Sequence, residues 1–322
     1  MCRVELNPIE TRGLRRVFKS RKRTVEAVVG VDLVVHPGEI FGFLGPNGAG
    51  KTTTLRMLST LLPPSGGTAR VAGFDLLKQQ DKVRDRIGYV GQAGGADREI
   101  TGRWELIFQG RLYGRSVDQA RKRAAELIEM LELEICADRN VATYSGGQKR
   151  RLDIGLGLVH NPQLLFLDEP TTGLDPQSRA RVWDEVRRMH ERGTTVFLTT
   201  HYLDEADALC DRVAIIDHGK IVAEGTPEEL KREVAGDIVT LSVGGDQHLA
   251  LDVLKQQLFV REAGLEEGAV RLYVDRGEEA MPTILRLLDS AGLKLMTIDL
   301  HRPSLDDVFL RKTGRSLRET AA

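Results

Sequence analysis

The run Gly45-Pro46-Asn47-Gly48-Ala49-Gly50-Lys51-Thr52 decides the reading of this chain. It stands between a short apolar strand, Phe41-Gly42-Phe43-Leu44, and a segment that reads as helix, the turn and helix together spanning residues 46–62. Glycines after a strand let backbone N–H groups turn inward around phosphate oxygens. A helix beginning at about Gly50 aims the positive end of its dipole at the same anion. Gly45, Asn47, Gly48 and Gly50 supply the loop. Lys51 is spaced to reach β- and γ-phosphates, Thr52 to place its hydroxyl on Mg²⁺, and Thr53 to offer a further hydroxyl near the α-phosphate.

Two further elements extend this chemistry. Leu164-Leu165-Phe166-Leu167-Asp168-Glu169 is an apolar strand ending in two carboxylates and resembles a Walker B element. Asp168 is expected to hold Mg²⁺ through water, and Glu169, one residue on, to polarise the water that attacks the γ-phosphate. The alternative is a strand that ends in a solvated acidic turn. Ser145-Gly146-Gly147-Gln148 is a second glycine-rich element, and the periodic run through Leu152, Ile154, Leu156 and Leu158 makes Ser145 the N-cap of a helix. Capping is one role for Ser145. Phosphate binding is the other, because Gly146 and Gly147 leave the helix start bare.

In this order the motifs resemble those of the nucleotide-binding subunit of ATP-binding cassette (ABC) transporters, over residues 9–230. Phe18 resembles the A-loop aromatic that stacks on adenine, Gln92 the Q-loop glutamine, Ser145 to Gln148 the signature, Thr171-Thr172-Gly173-Leu174-Asp175 the D-loop, and His201 the switch histidine. The resemblance implies ATP and Mg²⁺ as cofactors, with Glu169, His201 and Gln92 catalytic, Thr52, Gln92 and Asp168 at the metal, and Asp175 beside the nucleotide. It also implies an ATP sandwich, in which the signature of one copy reaches the ATP held by a second copy of the chain in a head-to-tail dimer. For Phe18 an ordinary core aromatic is the alternative, and for Gln92 and His201 exposed polar residues at strand ends. Polar groups at the carboxyl ends of strands in an α/β sheet nevertheless sit where ligands bind.

Tyr144 stands where the widespread signature has leucine. The run from Thr143 to Ile154 and the closing segment His301 to Leu310, then Thr313-Gly314, resemble the daunorubicin-resistance type of export ATPase. That likeness implies export of a drug, antibiotic or lipid-like compound through a separate membrane-spanning subunit. The chain is then expected at the cytoplasmic face of the membrane, held peripherally, with the surface from Gln92 to Tyr113 receiving a helix of the membrane subunit. A soluble ABC-superfamily ATP switch acting on ribosomes or DNA is the alternative. Such relatives carry two cassettes or a long coiled-coil insertion, and neither pattern occurs in these 322 residues.

Composition agrees with this reading. A formal net charge of −1 with 29% charged residues gives no broad basic surface, so nucleic acid is not expected as the partner. The cluster from Arg15 to Arg23 reads as a solvated loop. The 3 cysteines, Cys2, Cys136 and Cys210, lack paired or metal-ligand spacing, which suits a reducing compartment. No apolar run approaches the roughly 20 residues of a membrane span, and Met1 to Glu10 lacks the apolar core of a signal peptide.

The fold expected is an α/β P-loop nucleotide-binding domain, followed by a small α+β domain. Residues 9–45 read as a β-rich entry with Val25 to Val35 in alternating apolar segments, Leu76 to Asn140 as a mostly helical subdomain, and 164–168, 195–200 and 212–217 as buried strands of a parallel core, with an antiparallel β entry subdomain expected beside that core. The cassette is expected over 1–231, a linker over 232–236, an accessory or assembly domain over 237–312 and a flexible tail over 313–322. In the second domain strands at 238–243, 259–262, 270–274 and 294–300 with helices at 248–257 and 279–291 give the order βαββαβ of a ferredoxin-like sandwich. A small β-barrel is the alternative.

Overall fold

A computed structural model describes residues 6–20, 23–233, 236–266 and 268–314. Cys2, two residues of the basic cluster, positions 234 and 235 of the expected linker, and all but the first two residues of the expected tail lie outside this range. The chain divides between Pro227 and Glu228 into two compact units, ahead of the boundary at 231 read from the sequence.

The first unit runs β1 (Ile9–Lys19), β2 (Thr24–Val35), β3 (Ile40–Leu44), α1 (Lys51–Leu58), β4 (Gly66–Val71), β5 (Phe74–Asp75), α2 (Gln80–Arg84), β6 (Ile87–Val90), α3 (Gly102–Leu112), α4 (Val117–Met130), α5 (Gly146–Leu158), β7 (Leu164–Asp168), α6 (Pro176–Glu191), β8 (Thr195–Thr200), α7 (Leu203–Leu209), β9 (Arg212–Asp217) and β10 (Lys220–Gly225). An antiparallel sheet has the order β2-β1-β4-β5, and a six-stranded sheet the order β10-β9-β3-β8-β7-β6. All pairs of the larger sheet are parallel except β9 with β10. Every residue of β3, β7 and β8 is buried, as expected of parallel strands covered on both faces. Phe41, Phe43 and Phe166 all pack on Phe197, with ring centroids 5.6–5.7 Å apart, and one core joins this sheet to α1 and to the antiparallel strands through Val28, Val31, Leu33 and Leu55.

Register decides where the chemistry collects. Leu44 lies opposite Thr200, Asp168 opposite Thr199, and Leu167 opposite Val90. The residues that follow β3, β6, β7 and β8 therefore emerge along one edge, the carboxyl edge where α/β sheets bind ligands.

The sequence reading needs two corrections in this unit. The helix expected through residue 62 ends at Leu58, and the stretch expected to be mostly helical contains strand β6. β6 is four residues long and includes Gly88, so neither length nor propensity announced it. Its glycine is a packing requirement: a Cβ there would stand 2.3 Å from the carbonyl oxygen of Gly157 on α5. The strand forms because β7 offers a free edge and α5 a close cover.

The second unit follows α8 (Pro227–Glu233), which opens at the division. It contains β11 (Asp237–Gly244), α9 (Gln247–Leu254), β12 (Val260–Glu266), β13 (Ala269–Val274), α10 (Gly277–Ser290), β14 (Lys294–His301) and α11 (Leu305–Thr313). The sheet order β12-β13-β11-β14, antiparallel throughout, is the open ferredoxin-like arrangement with the first and third strands central, which excludes the barrel. Val239, Leu241, Val270 and Leu272 face Ala250, Leu254, Ile284 and Leu288 of the two helices. The helix α11 lies beyond the six elements expected of this domain. Its Ser304 and Asp307 form a capping box, Arg271 pairs with Asp307, and Leu305, Val308 and Phe309 are buried.

Candidate active site

The loop after β3 takes its shape from three glycines. Gly48 and Gly50 have φ of 80° and 109°, a region that disfavours side chains, and a Cβ on Gly45 would meet the Ile216 carbonyl oxygen at 2.3 Å. Gly50 caps α1 without a side-chain bond, so the first N–H groups of that helix remain available to an anion. Asn47, Gly48, Gly50, Lys51, Thr52 and Thr53 line a cleft of about 360 Å³ together with Gln92 and Glu169.

Inside it the charged groups face one another. Lys51 is 4% exposed. Its Nζ donates to the carbonyls of Gly45 at 2.7 Å and Pro46 at 3.1 Å and lies 3.4 Å from Glu169 Oε1. Burial lowers the Lys51 pKa from its ordinary value, and the nearby Glu169 charge opposes that shift. On the other oxygen, Glu169 Oε2 accepts from Gln92 Nε2 at 3.0 Å and Thr172 Oγ1 at 3.2 Å. His201 Nδ1 approaches Glu169 Oε1 at 3.3 Å, but without hydrogen-bond alignment, so we read this contact as electrostatic. Proximity to His201 first, and then the charge of Lys51, hold the Glu169 carboxyl below the usual carboxylate range against the opposing effect of burial.

Glu169 also has a φ of 44°. A non-glycine residue in the left-handed region costs on the order of 1–3 kcal/mol and persists only where its surroundings hold it. Here its N–H donates to both the carbonyl and the hydroxyl oxygen of Thr199, each at 3.1 Å. Thr199 is a site residue outside every motif read from the sequence, signalled only by the pair of threonines that ends β8; Thr172 lies within the D-loop run but carries no role of its own in that reading.

Asp168, 1% exposed, accepts on Oδ1 from Thr52 Oγ1 at 3.0 Å and Thr199 Oγ1 at 2.7 Å. Among the described residues no group of three His, Cys, Asp or Glu side chains could hold a metal alone. A hydroxyl beside one carboxylate, with the Gln92 amide near, fits Mg²⁺, which takes its remaining oxygens from phosphates and water.

Other expected residues do not join this cleft within one chain. Ser145 and Gln148 form a capping box on α5, with Ser145 and Gly146 exposed, and none of Ser145 to Gln148 lines the cleft at Lys51. Gly147 lies against α6, where a Cβ would come 2.7 Å from Ser178 Oγ. Asp175 caps α6, accepting from the Ser178 N–H at 2.9 Å and its hydroxyl at 2.7 Å, and the hydroxyl bond is the first cause of its lowered pKa. Phe18 is 40% exposed, with the Arg16 guanidinium 4.7 Å from its ring centre, so it is not a core aromatic.

The family profile described as ABC transporter matches residues 28–172, and that described as ATP-binding protein DrrA1-3-like, C-terminal domain, matches residues 225–313. The daunorubicin/doxorubicin resistance ATP-binding protein DrrA of Streptomyces peucetius is 46% identical over 97% of this chain and 96% of its own length. The chain belongs to the ATP-binding subunits of ABC transporters. Within this family the chain is also similar to the linearmycin resistance ATP-binding protein LnrL of Bacillus subtilis, 37% identical over 92% of this chain and 96% of that protein. Among solved structures, a dimeric ATP-binding cassette in a post-hydrolysis state bound to ADP and Pi superposes with a TM-score of 0.63 at 25% identity, covering 68% of this chain and 98% of that one. Membership makes this ABC subunit an ATPase that couples hydrolysis to transport, working with membrane subunits. No described helix of it is long and apolar enough to cross a membrane.

Proposed function

We propose that two copies of this chain close head to tail around two ATP molecules, each site combining the cleft of one copy with Ser145 to Gln148 of the other. The observation that carries this is the split within one chain: a cleft holding Lys51, Gln92 and Glu169, and an exposed helix start at Ser145 and Gly146 that lies outside it. The Ser145 oxygen accepts from its own helix, which leaves its proton free for a phosphate oxygen. Asp175, which caps α6 through Ser178, the residue that Gly147 packs against, joins that site in this reading, and Phe18 offers an exposed ring for adenine.

In the closed site Lys51 and the N–H groups of Gly48 and Gly50 neutralise the phosphates, while Thr52, Asp168 and Gln92 hold Mg²⁺, which when bound spreads the charge developing on the phosphate oxygens. Glu169 accepts a proton from the attacking water, and its lowered pKa keeps it ionised for that task at neutral pH. Gln92 and Thr172 orient its second oxygen. His201 stabilises charge at the γ-phosphate.

The partner is a separate membrane-spanning subunit, which holds this chain at the cytoplasmic face. Support comes from α3, where Trp104, Phe108 and Leu112, one turn apart, are 54%, 49% and 66% exposed, and from a second cleft of about 410 Å³ beside it, lined by Gly91, Glu105, Gln109 and Tyr113. The cargo class is a drug or lipid-like compound leaving the cell, since the relatives named for resistance match this chain along almost its whole length. For the same reason the ribosome- or DNA-acting switch is not favoured.

With Glu169→Gln slowing hydrolysis, ATP should convert the chain from monomer to dimer on sizing chromatography, and Ser145→Arg should prevent it. A monomer at saturating ATP, alone and with the membrane subunit, would refute the shared site. In cell fractionation the chain should sediment with membranes only when the membrane subunit is made, and Phe108→Glu should reduce that recovery without changing ATP binding; equal recovery with and without the subunit would refute docking.

A further inference from the structure

Arg150 lies on α5, five residues after Ser145, and is 6% exposed. Each of its three guanidinium nitrogens donates to a main-chain carbonyl: Nε to Pro170 at 2.7 Å, Nη1 to Gly91 at 2.6 Å and Nη2 to Asp168 at 3.0 Å. Asp168 and Pro170 are the neighbours of Glu169 on either side, and Gly91 immediately precedes Gln92, the residue that donates to Glu169 Oε2. One side chain therefore grips the backbone before and after the residue with φ of 44° and the backbone that presents its hydrogen-bond partner. Asp153, one turn further along α5, takes the other end of the same loop by accepting from the N–H groups of Gly95 and Ala96 at 2.9 and 3.1 Å.

A buried guanidinium is costly to desolvate, and burial lowers its pKa. Packing alone could be served by an apolar side chain. What it supplies is a rigid planar fork that fixes three carbonyls relative to one another. Arg151, its neighbour, is equally buried at 5% and donates to the carbonyls of Leu131 at 2.7 Å and Glu132 at 3.2 Å, which belong to α4's end and not to the cleft.

We propose that Arg150 is a positioning residue for ATP hydrolysis: it ties the signature helix to the backbone around Glu169 and Gln92, so that the Glu169 carboxylate is aimed only while α5 is in place. This rests on Glu169 acting as the base. Because Ser145 stands at the other end of the same turn and a half of helix, the fork also gives occupancy of the signature a route to the base of its own chain.

The test is a set of steady-state ATPase measurements on the full chain with its membrane subunit, supported by ATP-binding and melting curves. Arg150→Lys keeps the charge and loses the fork. It should lower kcat roughly 10- to 100-fold, the scale of an ångström-sized misplacement, with KM and ATP affinity within about threefold. In a Glu169→Gln chain the same substitution should change the residual rate by less than about threefold, because its effect passes through Glu169. Arg151→Lys should lower the melting temperature and leave kcat within about threefold. Unchanged kcat in Arg150→Lys, a loss confined to KM, or an equal factor in both backgrounds would overturn the proposal. If Glu169→Gln alone hydrolyses at the parental rate, the reading of Glu169 fails, and that is seen before Arg150 is touched. Should Arg150→Lys not fold, Arg150→Gln answers the same comparison.

Discussion

Replacing Glu169 with glutamine removes one proton acceptor and almost no volume, so the consequences can be worked from the contacts. A general base contributes roughly 10²- to 10⁴-fold, about 3–5 kcal/mol of barrier, and kcat should fall by that factor. Binding should move differently. At 3.4 Å and an effective dielectric of about 20, the attraction between Glu169 and Lys51 is about 5 kcal/mol before desolvation, most of which burial offsets. The neutral amide gives up this attraction and frees Lys51 Nζ for phosphate. Affinity for ATP should therefore hold or tighten, by up to about tenfold if some 1.4 kcal/mol survives the offset. The assay pairs phosphate release at saturating ATP with titration of a non-hydrolysable ATP analogue. Hydrolysis at the parental rate would refute the base; a more than tenfold loss of affinity would refute the competition for Lys51.

Three further expectations follow from single contacts. Gly88→Ala should destabilise the first unit by about 1–3 kcal/mol, read as a lower melting temperature, because the new methyl group meets the Gly157 carbonyl oxygen at 2.3 Å; an unchanged melt would mean that β6 and α5 can separate freely. Glu185, 1% exposed, has its carboxyl pKa pushed up to about 7 by burial, against the pull of Arg188. A raised acid binds protons in the fold that the unfolded chain has released, so this group makes stability fall as pH rises from about 4.5 to 7, by on the order of 3 kcal/mol; Glu185→Gln should flatten that slope in melts from pH 5 to 8, and an unchanged slope would assign it elsewhere. A chain cut after Gly225 should still fold and bind ATP, because every residue lining the cleft precedes that point, and a soluble truncated chain that fails to bind would make the second unit part of the cassette.

Much of this was legible in the chain itself, for reasons that differ by element. β7, β8 and β9 were read with their observed limits, since a strand buried on both faces is an unbroken apolar run with sharp polar ends. The second unit's order of elements was legible from alternation, but not α11, whose helix depends on Ser304 capping it and on Arg271 across the sheet taking Asp307. β6 was illegible because a four-residue strand with a glycine carries no periodicity.

The sequence by itself determined which residue types could hold a triphosphate and where the backbone could turn, because glycine positions, apolar periodicity and strand ends are local properties. It did not determine that Thr52 would meet Asp168 at 3.0 Å across 116 residues or that Arg150 would bracket Glu169. That Ser145 stands outside its own cleft was implied by the family resemblance and not by the residues themselves. Those facts depend on strand order and register, which bring the ends of β3, β6, β7 and β8 to one edge. The left-handed backbone of Glu169 belongs there too: no local preference favours it, and it is held by the bonds its own N–H donates to Thr199 and by the grip of Arg150 on the carbonyls to either side.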